Sequence, residues 1–231
     1  MQAAGTHQGG RQQALFEAMH QAYEAHYYDP TSLAYREEFI LRPMLDGLDL
    51  NDLAVAELAS GSGHNSLSLK ARFPRVRLTG FDISQAACDD YERRVEAPCH
   101  RLDLTRPTTT TPAATFDVAF VIGGLHHCVV DLDTTLANVA RMLKPGGLFL
   151  MLEPNSRHML EAVRRVWYRL DASFDHATEH ALDHEALLAA GHGAFEAERV
   201  TYFGGPAYFL ILNRDRKSTR LNSSHVALSR M

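Results

Sequence analysis

Residues 53–66, LAVAELASGSGHNS, set a short apolar run against a turn holding Gly61 and Gly63, after which a helical pattern begins. LAVAEL at 53–58 is continuous rather than alternating, which predicts a strand covered on both faces of a parallel sheet. HNSLSLKARF at 64–73 predicts the helix that follows. Between them the glycines allow a tight turn, and without a Cβ they let a ligand approach the backbone closely. A lone glycine pair also describes a plain turn, so its surroundings have to decide.

The pattern repeats on the C-terminal side. VRLTGFDI at 76–83 predicts a second strand, and Ser84 an N-cap for a helix to about Val95. CHRLDL at 99–104 and FDVAFVI at 116–122 extend the series, the latter apolar enough to be buried throughout. Leu132, Leu136, Val139 and Leu143 share one helical stripe with Asp131 or Asp133 as cap, KPGG at 144–147 breaks that helix, and GLFLMLE at 147–153 is a fifth strand. Strands alternating with helices predict an α/β fold with a doubly wound, mostly parallel sheet and helices on both faces.

Outside this core the pattern changes. Helices are expected over 11–26 and 32–48, before the first strand, and over 156–170 and 183–190, after the fifth. ERVTYF and AYFLILN around a Gly-Pro turn read as an antiparallel hairpin. Residues 1–48 are therefore expected to form a helical lid, 49–214 the sheet domain with a cap helix at about 156–170. Residues 215–231, DRKSTRLNSSHVALSRM, read as a disordered tail that resembles translated sequencing-adaptor DNA and is not native to the fold.

Composition narrows the function. The 231 residues are 45% hydrophobic and 22% charged, as in ordinary globular proteins, with a formal net charge of −5. The tail holds four basic residues against one acid, so the body is more acidic still, which argues against a nucleic-acid partner. With no run of the ~18 apolar residues of a membrane span and no signal-peptide pattern, a cytoplasmic location without membrane attachment is expected. Cys88, Cys99 and Cys128 have no metal or disulfide spacing and read as reduced thiols.

Three acids then give the glycine turn a context. Glu57 closes the first strand, Asp82 the second and Asp103 the third, and ligands of open α/β sheets sit beyond such strand ends. A carboxylate ending the second strand accepts hydrogen bonds from the ribose hydroxyls of an adenosine. Two details disfavour a dinucleotide: Ser66 stands where its fingerprint needs a third glycine, and Glu57 would repel a pyrophosphate. A ligand with a positive centre would be attracted instead.

E-x-A-x-G-x-G at 57–63, FDIS at 81–84, LD at 102–103, FDVAFVIGGLHH at 116–127 and MLKPGGLFLMLEP at 142–154 together resemble the motifs of class I S-adenosylmethionine-dependent methyltransferases, over roughly residues 30–213. The resemblance implies a seven-stranded Rossmann-like sheet with a C-terminal antiparallel hairpin, S-adenosyl-L-methionine as cofactor, and transfer to a small-molecule acceptor. It further implies that Glu57, Ala59, Ser60, Gly61 and Gly63 hold the methionine end and Asp82 the ribose. Ile83 would meet the adenine face, Asp103 the adenine amino group with Leu104 nearby, while Gly123 and Gly124 let the fourth strand pass the sulfonium. Ala59 replaces the family's first glycine, which is tolerated if its φ is negative.

Methyl transfer from a sulfonium is an in-line displacement, so alignment supplies much of the acceleration and a base is needed only for an acceptor carrying a high-pKa proton. His126 and His127, just past the fourth strand, are the candidate bases, with a structural or cofactor-facing role the alternative. His176, His180 and His184 recur every four residues, yet Asp183 as a helix cap would break their shared face, so no metal is expected. Tyr27, Tyr28, Tyr35 and Arg36 before the sheet, and Arg164, Trp167 and Tyr168 after it, are candidates to line the acceptor pocket. The Gly-Gly-Leu-His-His stretch stands where the family's nucleobase and glutamine N-methyltransferases carry Asn/Asp-Pro-Pro-aromatic, favouring an O-, C- or aliphatic N-acceptor. A non-catalytic S-adenosylmethionine-binding module and an NAD-dependent oxidoreductase are the competing readings.

Overall fold

The computed structural model describes residue 28, residues 30–108, 111–154, 182–204 and 222–231. Seven strands lie in the order β3-β2-β1-β4-β5-β7-β6. They are β1 (Ala54–Leu58), β2 (Arg77–Asp82), β3 (Cys99–Arg101), β4 (Phe116–Ile122), β5 (Leu143–Pro154), β6 (Phe195–Gly204) and β7 (Asn222–Arg230). The first five pair in parallel, and β7 runs antiparallel to both β5 and β6. The strand order reverses between β1 and β4, which are hydrogen-bonded neighbours, so a crevice opens beyond their C-terminal ends.

Alternation along each central strand explains why these segments read as continuous apolar runs. Val55, Val118, Phe120 and Leu150 enter one core, while Ala56, Ala119, Val121 and Met151 enter the other. The first core is closed by Leu41, Met44 and Leu45, which follow α1 (Pro30–Arg36) and its π-helical continuation Glu37–Leu41, by α2 (His64–Arg72) and by α3 (Gln85–Val95). Leu41, Met44, Leu69 and Tyr91 there are at most 2% exposed. Opposite them lie α4 (Leu132–Met142) and α5 (His184–Gly191), which contribute Leu136, Val139 and Leu187.

Local signals act as the sequence predicts at several ends. Ser84 Oγ accepts the Ala87 N–H at 3.3 Å to cap α3, and Asp183 accepts the Glu185 and Ala186 N–H groups to cap α5. Asp131 stands at the N-cap of α4 but makes no side-chain cap bond. KPGG does not separate α4 from the strand; it is a bulge within β5, where pairing jumps from Phe116–Leu143 to Val118–Leu148 and Gly146 has φ +74°.

The C-terminal end differs from expectation. The composition of residues 215–231 predicts a disordered tail, yet Asn222–Arg230 is the strand between β5 and β6. An inter-strand slot supplies ladder partners to any extended backbone. Leu228 is 1% exposed and joins the core with Phe149 and Phe195. The expected hairpin strand at 207–213, the helices at 11–26 and 156–170, and Tyr27, Arg164, Trp167, Tyr168, His176 and His180 lie outside the described residues. Among the described residues no helix is long and apolar enough to cross a membrane, and no cluster of His, Cys, Asp or Glu could hold a metal ion.

Candidate active site

The turn after β1 is a chain of left-handed residues: Ala59 at φ +48°, Gly61 at +52° and Gly63 at +82°. Backbone bonds brace it, from Ser60 N–H to Phe81 O at 3.1 Å and from Gly63 N–H to Ser60 O at 3.1 Å. A Cβ on Gly63 would lie 2.4 Å from Val95 Cγ2 and 2.7 Å from Tyr91 Cδ2, so that glycine is required where α2 starts against α3. A Cβ on Gly61 would meet nothing within 4 Å. The space in front of Gly61 is open, as a ligand cradle requires.

Ala59 departs from the expectation of a negative φ. Its left-handed backbone costs an L-residue roughly 1–2 kcal/mol, and its methyl faces the end of β4. A Cβ on Gly124 would come within 2.6 Å of Ala59 Cβ. The glycine that the turn after β1 lacks is therefore matched by one across the crevice floor. Gly123, at φ +70°, is held by its N–H to Leu152 O at 2.8 Å.

Asp82 ties the turns after β1 and β2 together. Oδ2 accepts the Gly61 N–H at 2.9 Å and Oδ1 the Ser84 N–H at 2.9 Å, and the side chain remains half-buried at the crevice. Ile83 beside it is half-buried. Asp103 is committed more locally: Oδ1 accepts from Thr105 N and Oγ1, and Oδ2 pairs with Arg106 Nε at 3.1 Å. Leu104 is buried in the core, with its carbonyl bonded by Asn138 Nδ2.

Two expected crevice residues turn inward. Glu57 is 1% exposed, with Asn65 Nδ2 donating to one oxygen at 2.9 Å and Ser66 Oγ to the other. Burial raises its pKa to about 7 against the opposing pull of the Ser66 and Asn65 hydrogen bonds. Tyr91, whose hydroxyl bonds Ser66 Oγ at 2.8 Å, is likewise raised by burial. Glu57 thus braces α2 from beneath the turn instead of facing the crevice, because the first turn of α2 offers it side-chain donors. Ser60 also points inward, 3.5 Å from Cys99 Sγ.

Across the crevice, the 3₁₀ turn Leu125–His127 follows β4. His126 is 4% exposed and its ring lies 3.9 Å, centroid to centroid, from that of His127, which is only half-buried. Beneath them is Glu153 at the end of β5, 0% exposed. Its Oε1 accepts the Gly124 and Leu125 N–H groups at 2.8 and 2.7 Å, and its Oε2 lies 3.0 Å from His126 Nδ1. Glu153 is a site residue that the motifs do not single out; an acid inside the apolar run GLFLMLE is the signal that marks it, as it marks Glu57 in LAVAEL.

A layered group links the N-terminal helix to the glycine turn. Tyr28 stacks on His64 at 4.0 Å, the Arg36 guanidinium lies 4.9 Å over the Tyr28 ring, and Arg94 donates to Ser62 O at 3.1 Å and meets His64 Nε2 at 2.7 Å. Arg36 Nε is buried without a hydrogen-bond partner. Tyr28 and Arg36, candidates for the acceptor pocket, stand instead over the turn after β1, and nothing in the sequence pattern points to His64 and Arg94. Tyr35, 8% exposed, packs in the core with Ile40.

Residues 56–149 match a family model described as a methyltransferase domain. The chain is 31% identical over 166 residues to a malonyl-[acyl-carrier protein] O-methyltransferase of Methylovorus sp., covering 60% of this chain and 50% of that one. It is 32% identical over 109 residues to a ubiquinone/menaquinone biosynthesis C-methyltransferase of Syntrophotalea carbinolica, covering 43% of each. The chain spans about half the length of these curated relatives. In fold it resembles geranyl diphosphate C-methyltransferase from Streptomyces coelicolor, solved with S-adenosyl-L-homocysteine, at a TM-score of 0.64 and 14% identity over 90% of this chain and 84% of that one. The chain therefore resembles methyltransferases over residues 56–149 and has the seven-stranded, Rossmann-like fold seen in class I S-adenosylmethionine-dependent methyltransferases.

Proposed function

We infer that the chain transfers the methyl group of S-adenosylmethionine to a small-molecule acceptor at oxygen, carbon or aliphatic nitrogen, in the cytoplasm and without a nucleic-acid partner. The observation that carries this reading is the crevice at the β1–β4 switch point. There the open Gly61 turn, the Asp82 carboxylate and the β4 turn meet beyond the strand ends.

The residues present suit the donor at both ends. Asp82 has lone pairs for the ribose hydroxyls, and Ile83 stands beside it for the adenine face. At the other end, the buried Nε of Arg36 lacks a partner that an amino-acid carboxylate would supply through a charge-assisted bond. Bound there, the donor presents an activated methyl group, and the protein's task is to align an acceptor behind it while excluding water. His126 and His127 lie on the side of the crevice where that acceptor would stand. The relatives named above support a small acceptor, since they act on an acyl-carrier-bound malonyl group and on a quinone-pathway compound.

Calorimetric titration with S-adenosylmethionine tests the reading directly. Micromolar binding by the wild-type chain is expected. Together with it, label from the methyl group should appear on at least one of malonyl-acyl carrier protein, demethylmenaquinol or geranyl diphosphate. Absence of binding, or displacement of a bound nucleotide by NADH, would overturn it.

A further inference from the structure

We propose that Asn138 of α4 is a positioning residue for the adenine end of the donor: its one buried carboxamide fixes the loop after β3, on which discrimination of the base depends. The inference rests on the methyl-transfer reading and goes beyond it in naming a residue that sets cofactor specificity through this loop.

Leu104 and Arg106 belong to no helix or strand, so no regular ladder supplies donors to their carbonyls. Asn138 supplies them. Its Nδ2 donates to Leu104 O at 2.9 Å and to Arg106 O at 2.8 Å, while its Oδ1 accepts the Thr108 N–H at 3.4 Å. One side chain, itself 5% exposed, thereby sets backbone groups spread from 104 to 108. Asparagine is a poorer helix former than alanine, and a buried amide costs free energy unless it is bonded, so these bonds account for its place within α4. The near end of the same loop is shaped by Asp103, which accepts from Thr105 and meets Arg106 Nε, and the Leu104 side chain is anchored in the core.

The place of this loop gives the bracing a functional meaning. β1, β2 and β3 are neighbours in the sheet, and neighbouring strands lie ~4.8 Å apart. With the methionine end at the Gly61 turn after β1 and the ribose at Asp82 after β2, the base on the far side of the ribose falls beyond the end of β3. The chain there starts out against Asp82, whose carbonyl accepts the Leu102 N–H at 2.7 Å. Hydrogen bonds weaken steeply with misalignment, so a loop that shifts loses the choice between an amino group and a carbonyl on the base while stacking and ribose contacts persist. None of the three Asn138 bonds reaches the Asp82 turn, which makes ribose recognition independent of it.

Calorimetry compares wild type, Asn138→Leu and Asn138→Asp with three probes: S-adenosylhomocysteine, S-inosylhomocysteine, which carries a carbonyl in place of the adenine amino group, and 2′-deoxy-S-adenosylhomocysteine. Asn138→Leu removes all three bonds, whereas Asn138→Asp keeps the acceptor for Thr108 and sets an oxygen against two carbonyls. Wild type is expected to favour the adenosyl over the inosyl compound by about tenfold or more. In both variants that ratio should fall below about threefold through weaker adenosyl binding, while the ratio of adenosyl to 2′-deoxy compound stays within about twofold of wild type. A residue that only stabilised the fold would change the fraction of chain that binds and leave both ratios as they are. Should the variants not fold, amide exchange on wild type decides: S-adenosylhomocysteine should slow exchange at 104–108 more than S-inosylhomocysteine does. A nucleobase ratio unchanged in the variants, a parallel loss of the 2′-deoxy ratio, or equal exchange protection by the two nucleosides would overturn the proposal. Equal affinity of wild type for both nucleosides would also overturn it and leave the methyl-transfer reading standing. Failure of wild type to bind S-adenosylhomocysteine at all would strike that reading, and the proposal with it.

Discussion

Asp82 and Asp103 keep their carboxylates half-buried at the crevice, whereas Glu57 and Glu153, also at strand ends, are 1% and 0% exposed. The outward pair organises turns by accepting neighbouring N–H groups. The inward pair works from below: Glu57 holds the first turn of α2 through Asn65 and Ser66, and Glu153 holds the turn after β4 through three backbone donors and the His126 ring. Position at a strand end therefore does not define the role of an acid. The donors beneath it do, and an inward carboxylate carries a desolvation cost that an outward one escapes.

The largest expected effect comes from deleting an inward anchor. Glu153→Ala leaves three backbone N–H groups and His126 Nδ1 without their acceptor, and removing one member of a buried pair costs ~3–5 kcal/mol. Urea unfolding should show that loss, whereas Asp103→Ala, whose partner Arg106 is largely solvated, should lose ~1 kcal/mol or less. Equal losses would erase the distinction between the two kinds.

Glu57 sharpens it through pH. Burial raises its carboxyl from 4.5 to about 7, so the folded chain binds more protons than the unfolded one between those values. The associated stability is fully present below pH 4.5 and is lost as pH rises through about 7, by ~3 kcal/mol at ~1.4 kcal/mol per pKa unit. Glu57→Gln should lack this slope and be more stable than wild type at pH 8, the difference closing near pH 4.5. Parallel wild-type and variant stability curves over that range would contradict it.

For the outward pair the readout is ligand affinity. Asp82→Ala is expected to weaken S-adenosylmethionine binding by ~10–100-fold, the equivalent of one charge-assisted bond at ~1.5–3 kcal/mol. Calorimetry checks this. Glu57→Gln should change the same affinity less than threefold, because its carboxylate does not face the ligand.

These contrasts mark what could be read from the chain alone. FDVAFVI, the helical stripe through Leu136 and Val139, and the Ser84 and Asp183 caps are local patterns, and each appears at its expected place. Parallel order and the crevice follow from the alternation of elements. The direction of a strand-end acid is not local. Glu57 turns inward because Asn65 and Ser66 lie beneath it, and Glu153 because the 3₁₀ turn of a different strand presents its N–H groups there. His126 and His127 are adjacent in sequence, yet only the fold reveals that one is sealed against Glu153. The tail strand is illegible in the sequence because pairing with β5 and β6 makes up for a composition that suggests disorder.

The smallest expected effect tests the floor between the two sides. Ala59 adopts φ +48°, and its methyl occupies space that Gly124 concedes. Ala59→Gly removes a left-handed Cβ at ~1–2 kcal/mol but makes the unfolded chain more flexible, which returns ~0.4–1 kcal/mol. The net gain in stability is then ~1 kcal/mol or less. Thermal denaturation should show a rise in Tm of a few degrees. Gly124→Ala in the wild-type background should be strongly destabilised by the 2.6 Å approach of the two Cβ atoms, and Ala59→Gly should relieve part of that loss, because Val121 Cγ2 would still lie 2.8 Å from the new methyl group. Additive effects in the double variant would mean that the turns after β1 and β4 do not share this contact. Non-additivity would show that the turns after β1 and β4 meet at one methyl group.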